Sequence, residues 1–183
     1  MMQPLLAHGL CVRPFQKTDV AEFVVAARES VSTVGVWMPW CHDRYSASEA
    51  ESWFDLCARK LRADEAYDAG IFSADGTELL GGVAINQINR EHNFGNIGYW
   101  VRQTRQRQGV ASRAVRMIAT YGFGQIKLTR LEIVIAEDNL ASRELAKKIG
   151  ATLECIARNR LIVHGKPRAA AVYSLIPGMP IST

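Results

Sequence analysis

One stretch limits the folds open to this chain more than any other. Tyr99-Trp100-Val101 reads as the end of an apolar strand, Arg102 to Gln108 as a polar turn, and Gly109-Val110-Ala111 as the opening of an amphipathic helix. Where a strand turns into a helix, the first-turn N–H groups have no intrahelical acceptor and carry the positive end of the macrodipole. Gln106, Arg107, Gln108, Gly109, Val110 and Ala111 can therefore cradle an anion such as a phosphate without a catalytic side chain. Gly109 and Ala111 are small, which lets a pyrophosphate approach the backbone closely. Arg102, Arg105, Arg107, Arg113 and Arg116 cluster around the same turn. They suit a polyanionic ligand at least as well as nucleic acid, and the alternative is a solvated face.

The surrounding chain has 183 residues, 48% of them hydrophobic. That is enough for one buried core and short for two, so a single domain over residues 1–183 is expected. The formal charge is +4, from 22 Lys and Arg against 18 Asp and Glu. Cys11, Cys41, Cys57 and Cys155 are widely spaced, as are His8, His42, His92 and His164, so neither a metal site nor a disulfide framework is expected. No run approaches the roughly 20 apolar residues of a membrane span, and the N-terminus lacks a basic flank before an apolar core. A cytoplasmic protein without a membrane partner is the expectation. The sequence holds no GxxxxGK[ST], no dinucleotide GxGxxG and no G-x-S-x-G elbow, so kinase, dehydrogenase and hydrolase chemistry lacks its signatures.

Periodicity places a short strand at 10–14, a helix capped at Thr18-Asp19 and running to Ser30, and a loop from Trp37 to Tyr45. A second helix, capped by Ser46 or Ser48, runs to Ala63. Strands at 67–73, 78–89 and 94–102 are separated by turn chemistry and read as an antiparallel meander. The helix after the anion loop ends near Gly124; a strand at 131–136, a helix at 139–149 and strands at 152–163 and 168–176 follow. This order describes a mixed sheet with helices on both faces, an α/β architecture.

Three stretches resemble a known family. QRQGVA, from Gln106 to Ala111, is similar to the Q/R-x-x-G-x-G/A acyl-CoA-binding signature of the GNAT N-acetyltransferases. Asn139 to Ser142 with Leu145 to Ala151 resembles the N-x-x-S-x-x-L-x-x-K-x-G second half of that superfamily, and Val36-Trp37-Met38-Pro39-Trp40 resembles the Trp-x-Pro-Trp stretch of its RimJ/RimL type, the ribosomal-protein N-terminal acetyltransferases. The resemblance runs from about Leu10 to Ile176. It implies the acyl-CoA N-acyltransferase fold: a largely antiparallel mixed sheet of six to seven strands with one splayed parallel pair. It also implies acetyl-CoA as co-substrate and no metal. The pantetheine arm would lie against Trp100, Val101, Arg102 and the end of the 131–136 strand, and the diphosphate against Gln106 to Ser112, with Asn139 and Ser142 nearby. An N–H near Trp100 or Val101 would serve as oxyanion hole.

For the acceptor, the resemblance implies a protein or peptide α-amine, with a small amine such as a polyamine, amino acid derivative or antibiotic as the alternative. From another class, a non-catalytic acyl-CoA sensor also fits. Nucleic acid is not expected as a partner, and a homodimer stays open. Glu154 is the first base candidate by similarity, Glu132 a second, and a water chain a third; Glu91 reads as a turn residue. Many relatives protonate the departing thiolate with a tyrosine seven residues after the motif asparagine, where this chain has Ala146. Ser142 stands where the RimJ/RimL type carries a serine assigned to the thiolate, and the alternative is a serine satisfying its own helix end. Trp37 and Trp40 either wall the acceptor pocket or pack over the sheet. Tyr99 and Trp100 alternate faces, so one belongs to the core and the other borders the cleft. Gln103, Arg107, Ala151 and the Arg168-Ala169 pair depart from the family pattern.

Overall fold

The computed structural model describes residues Met2 to Gly178. Eight strands form one sheet: β1 (Leu5–Ala7), β2 (Leu10–Arg13), β3 (Tyr67–Ser73), β4 (Leu79–Asn89), β5 (Phe94–Val101), β6 (Arg130–Ala136), β7 (Thr152–Val163) and β8 (Lys166–Leu175). Their order across the sheet is β1-β2-β3-β4-β5-β6-β8-β7. All neighbours are antiparallel except β5 and β6. The sheet thus exceeds the expected six to seven strands by β1. Three residues are too few for a period-2 pattern to show, and β1 exists because Leu5 to Ala7 folds back on Leu10 to Val12.

Four helices cover the sheet: α1 (Val20–Glu29), α2 (Ala47–Arg62), α3 (Val110–Gly124) and α4 (Leu140–Lys148). On one face, Val110, Ala114, Val115 and Ile118 of α3 and Ala146 of α4 pack against Ile71, Ile85, Ile97, Leu131 and Ile133. On the other, Phe23 of α1 and Ala50 and Phe54 of α2 pack against Phe72 and Leu79. Ser46 rather than Ser48 caps α2. Glu49 N donates to Ser46 Oγ and Ser46 N donates to Glu49 Oε2 at 2.9 Å, the reciprocal pair of a capping box.

Between α1 and α2 lies a feature that periodicity does not show. Val31 to Gly35 form one wide turn, with Thr33, Val34 and Gly35 all donating to the carbonyl of Ser30. Ser30 Oγ accepts from Gln103 N at 3.0 Å, and Thr33 Oγ1 accepts from Gln106 Nε2 at 3.0 Å. The wide turn therefore holds the anion loop from one side.

Candidate active site

β5 and β6 pair only where Phe94, Gly95 and Asn96 face Arg130, Leu131 and Glu132. Beyond Asn96 they part, while β5 stays paired with β4 as far as Val101. Arg102 N donates to Leu80 O at 2.9 Å. Alternation along an antiparallel ladder then turns the N–H and C=O groups of Ile97, Tyr99 and Val101 away from β4 and into the gap. Gln106 Nε2, which donates to Val101 O at 3.0 Å, reaches that carbonyl from the gap side. The N–H of Trp100 faces β4, so of the two positions expected near the oxyanion hole, Val101 is the one whose N–H meets the cleft.

The gap is a cavity of about 690 Å³ lined by 96–101 of β5, 133–136 of β6, the start of α3, part of α4 and Leu161 to Val163 of β7. At its mouth the chain makes a 3₁₀ turn at Gln103–Arg105 and then twice adopts left-handed backbone, at Arg107 with φ 60° and Gly109 with φ 72°. Among the described residues, no N–H from Arg107 to Ser112 donates to a protein acceptor. All of these residues but Gln108 line the cleft at the positive end of α3, and bare amides there are the chemistry of an anion site.

The arginine cluster is divided between structure and cleft. Arg102 is only 8% exposed, and its guanidinium bonds Glu29 at 2.7 and 2.9 Å, Glu22 at 3.2 Å and Leu79 O at 3.0 Å. Held by Arg102, the Glu29 carboxyl falls to about 2. Arg102, expected against the pantetheine, thus does not line the cleft; the half-buried carboxylates of Glu22 and Glu29 draw its side chain toward α1. Gln108 is also off the cleft lining, with Nε2 donating to Thr104 O at 3.2 Å. Arg113 donates to His8 O at 2.6 Å and Gln108 O at 3.2 Å, bracing the loop from behind. Arg105 and Arg107 line the cleft, Arg105 with its guanidinium forked on Glu78 at 2.7 and 2.9 Å.

At the start of α4, Asn139 Oδ1 accepts from Ser142 N at 3.2 Å and so caps the helix. The Ser142 hydroxyl is not used for capping. It lies 2.6 Å from the Tyr99 hydroxyl, and both side chains line the cleft. Burial pushes the Tyr99 phenol up to about 12, so it holds its proton at neutral pH. The acid position filled by tyrosine on the helix of many relatives is Ala146, fully buried here, and a phenol arrives instead from β5. No sequence spacing signals this, since the two residues are 43 apart.

Glu154 lies elsewhere. Arg130 forks onto it at 2.7 and 2.6 Å, Ser174 Oγ donates to it at 2.7 Å, and these bonds hold its carboxyl down at about 2. Glu132 shares Arg130 at 3.0 Å. Arg130 and Glu132 sit where β5 and β6 are still paired, at the closed end of the gap, and neither Glu154 nor Glu132 lines this cleft or the cavity on the α1–α2 face. Held down in this way, the Glu154 carboxylate is a poor proton acceptor at neutral pH.

A second cavity, of about 590 Å³, opens on the α1–α2 face and shares Met38, Gly98, Tyr99 and Trp100 with the first. Gly82, Ala84 and Gly98 floor it, which is why there is space: a Cβ on Gly82 would lie 2.5 Å from Trp100 Nε1. Trp40 packs edge-on against Trp100 at 5.4 Å and also lines this cavity, so packing and pocket wall are the same role. Trp37 lines the cleft. Asp68, on β3, lines the second cavity with 8% of its surface exposed.

A parted parallel pair, a bare-amide loop at its mouth and a second pocket across the shared strand are the parts of an acyltransferase that carries its donor between strands. The chain belongs to the GNAT acetyltransferase family: the pattern of the acetyltransferase (GNAT) domain matches residues 9–152. It is similar to the probable N-acetyltransferase YjcK of Bacillus subtilis, at 30% identity over 88% of this chain and 90% of the relative. Spermidine N(1)-acetyltransferase of Escherichia coli is 24% identical over 90% of this chain and 84% of that one. A solved structure of a candidate ribosomal-protein-serine acetyltransferase from Vibrio cholerae superposes with a TM-score of 0.82 at 32% identity, covering 96% and 98% of the two chains. A RimL structure in complex with coenzyme A shares the fold at 20% identity and a TM-score of 0.86. The protein is an N-acetyltransferase.

Proposed function

We propose that this N-acetyltransferase uses acetyl-CoA and transfers the acetyl group by direct attack of a primary amine, the acceptor being a protein or peptide N-terminal α-amine of the ribosomal-protein type. The observation that carries the reading is the run of bare amides from Arg107 to Ser112 at the mouth of an unpaired strand edge. The amides suit a diphosphate, and the edge offers N–H and C=O groups to the amides of a pantetheine arm as an added strand would. The Val101 N–H, free on that edge, then faces the thioester oxygen and stabilises the charge that develops there.

The acceptor enters from the α1–α2 side, past Trp100. An α-ammonium has a pKa of roughly 7.7–8.0, so a water at the cavity mouth suffices to take its proton near neutral pH. The departing thiolate meets the Tyr99–Ser142 pair. Tyr99 keeps its proton and hydrogen-bonds Ser142, so Ser142 can donate to sulfur and be reprotonated from the phenol. Ser142 is the residue in contact with the thiolate, and Tyr99 stands behind it.

The test is release of free thiol from acetyl-CoA across a panel of N-terminal peptides and small amines, with calorimetry of coenzyme A binding alongside. Absence of coenzyme binding by folded protein refutes the reading. A small-amine acceptor is the second reading, favoured by the enclosed, aromatic-walled shape of the second cavity.

A further inference from the structure

The second cavity contains a group that the transfer chemistry leaves unused. Asp68 is more than nine-tenths buried and lines the cavity, yet among the described residues its carboxylate takes part in no hydrogen bond or ion pair. Glu49, the other acid on the lining, is committed: it accepts from Ser46 N and Oγ and meets His42 at 3.0 Å. Lys60 of α2 acts on it only from beyond ion-pair distance, and a buried carboxylate without a direct partner is costly, its usual companion being a cation. Around Asp68 the cavity is walled by Phe15, Trp40, Tyr45, Trp53 and Trp100, and aromatic faces attract ammonium groups through the ring quadrupole.

Position separates this group from the reacting atoms. Asp68 is paired with Ala84 on β4, and Ala84 with Gly98 on β5. Asp68 therefore lies two strand spacings, about 10 Å, from the strand that borders the thioester. It is too far across the sheet to touch the attacking nitrogen. It is well placed to hold something else on the same molecule.

We propose that Asp68 and the aromatic walls around it form a subsite for a second cationic group of the acceptor, so that the preferred substrate is a dication whose reacting amine and second positive charge are separated by about 10 Å. This rests on the acetyltransferase reading above and specifies the acceptor class within it. Two sources can supply that chemistry: an extended diamine or polyamine, or a peptide with a basic side chain close to its N-terminal amine.

The experiment measures kcat/KM for α,ω-diamines of graded length against monoamines of matched length, and for N-terminal peptides with Lys against Ala at the second and third residues. The same series is run on Asp68→Asn. In the native protein, one or both dication series are favoured, with an optimum at the length that spans the two positions. In Asp68→Asn the dication-to-monocation ratio falls at least tenfold. Which series shows the optimum identifies the source. Calorimetric binding of the best diamine and best peptide to both proteins, with coenzyme present, reads the subsite independently of turnover. Thermal unfolding and coenzyme affinity verify that the variant is folded.

Equal loss for monocations and dications, or no dication preference in binding or turnover, overturns the proposal while leaving the acetyltransferase reading intact. Thiol release from no acceptor at all, with dication binding still dependent on Asp68, overturns the acetyltransferase reading and leaves the subsite standing.

Discussion

The phenol of Tyr99 and the hydroxyl of Ser142 stand 2.6 Å apart, joining β5, the strand before the anion loop, to the first turn of α4. If they act as a unit on the leaving thiolate, as proposed above, their removal is non-additive. Tyr99→Phe and Ser142→Ala each lower kcat by roughly a hundredfold, the scale of one positioned proton donor. The double variant is no slower than the slower single one, as stopped-flow thiol release will read.

Glu154→Gln leaves turnover within about twofold and lowers stability slightly. Its pair with Arg130 is exposed, 40% on the glutamate side, so melting at pH 7 drops by about 1–3 °C. The folded carboxyl sits at about 2 against an ordinary 4.5. The stabilisation is therefore present above pH 4.5 and lost as pH falls toward 2. Melting scans of native protein and variant should converge over that interval.

Arg102→Leu is far more damaging, because it leaves Glu29 of α1 half-buried without its cation. With Glu29 23% exposed, breaking this partly buried pair costs up to about 3 kcal/mol, measurable by urea unfolding at neutral pH. Glu29→Gln should be milder, since its neutral amide leaves Arg102 with Glu22 and the Leu79 carbonyl.

Asp68→Asn raises stability at pH 8. Burial lifts the Asp68 carboxyl from 3.8 to about 6, and Lys60 of α2 offsets this only in part. The nearby Cys57 thiol is itself pushed up by burial. A raised carboxyl destabilises the fold when ionised. That burden is complete above pH 6 and disappears as pH falls through 6 toward 4. A shift of this size corresponds to about 3 kcal/mol. The variant should gain up to that amount at pH 8 and nothing near pH 4.

Gly109→Val disturbs the loop at its left-handed residue, where φ is 72° and the nearest atoms to a new Cβ are 3.8 Å away. The cost is conformational, not steric, about 1–2 kcal/mol. Coenzyme affinity should fall with it, since the amides on either side lose their common direction; titration calorimetry checks this.

Local chemistry made much of the fold legible. The strand-to-helix loop, the antiparallel meander and the Ser46 cap are written in spacings of a few residues, and the helix after the loop ends at Gly124 as periodicity indicates. The cavity on the α1–α2 face was not legible in this way. Asp68 reads as one acid in an apolar strand, and only strand pairing shows that it is buried beneath α2 beside small floor residues. Glu154 is similarly mute in sequence. Its partner Arg130 is 24 residues away on β6, and only the strand order, with β8 between β6 and β7, brings the two together. The engagement of Arg102 by Glu22 and Glu29 is not legible either, because a run of arginines at an anion loop gives no sign of which ones meet carboxylates from α1. The wide turn at Val31–Gly35 has no apolar period, since its hydrogen bonds converge on one carbonyl.

The short pairing of β5 with β6 has a cost outside catalysis. A sheet interrupted at its centre offers its exposed backbone to any passing peptide, the same weakness that makes outer strands prone to aggregation. Whatever fills the opening shields it. A resident acyl donor would then act as a chaperone for its own enzyme, and protein stored without it should self-associate sooner on warming than protein stored saturated with it.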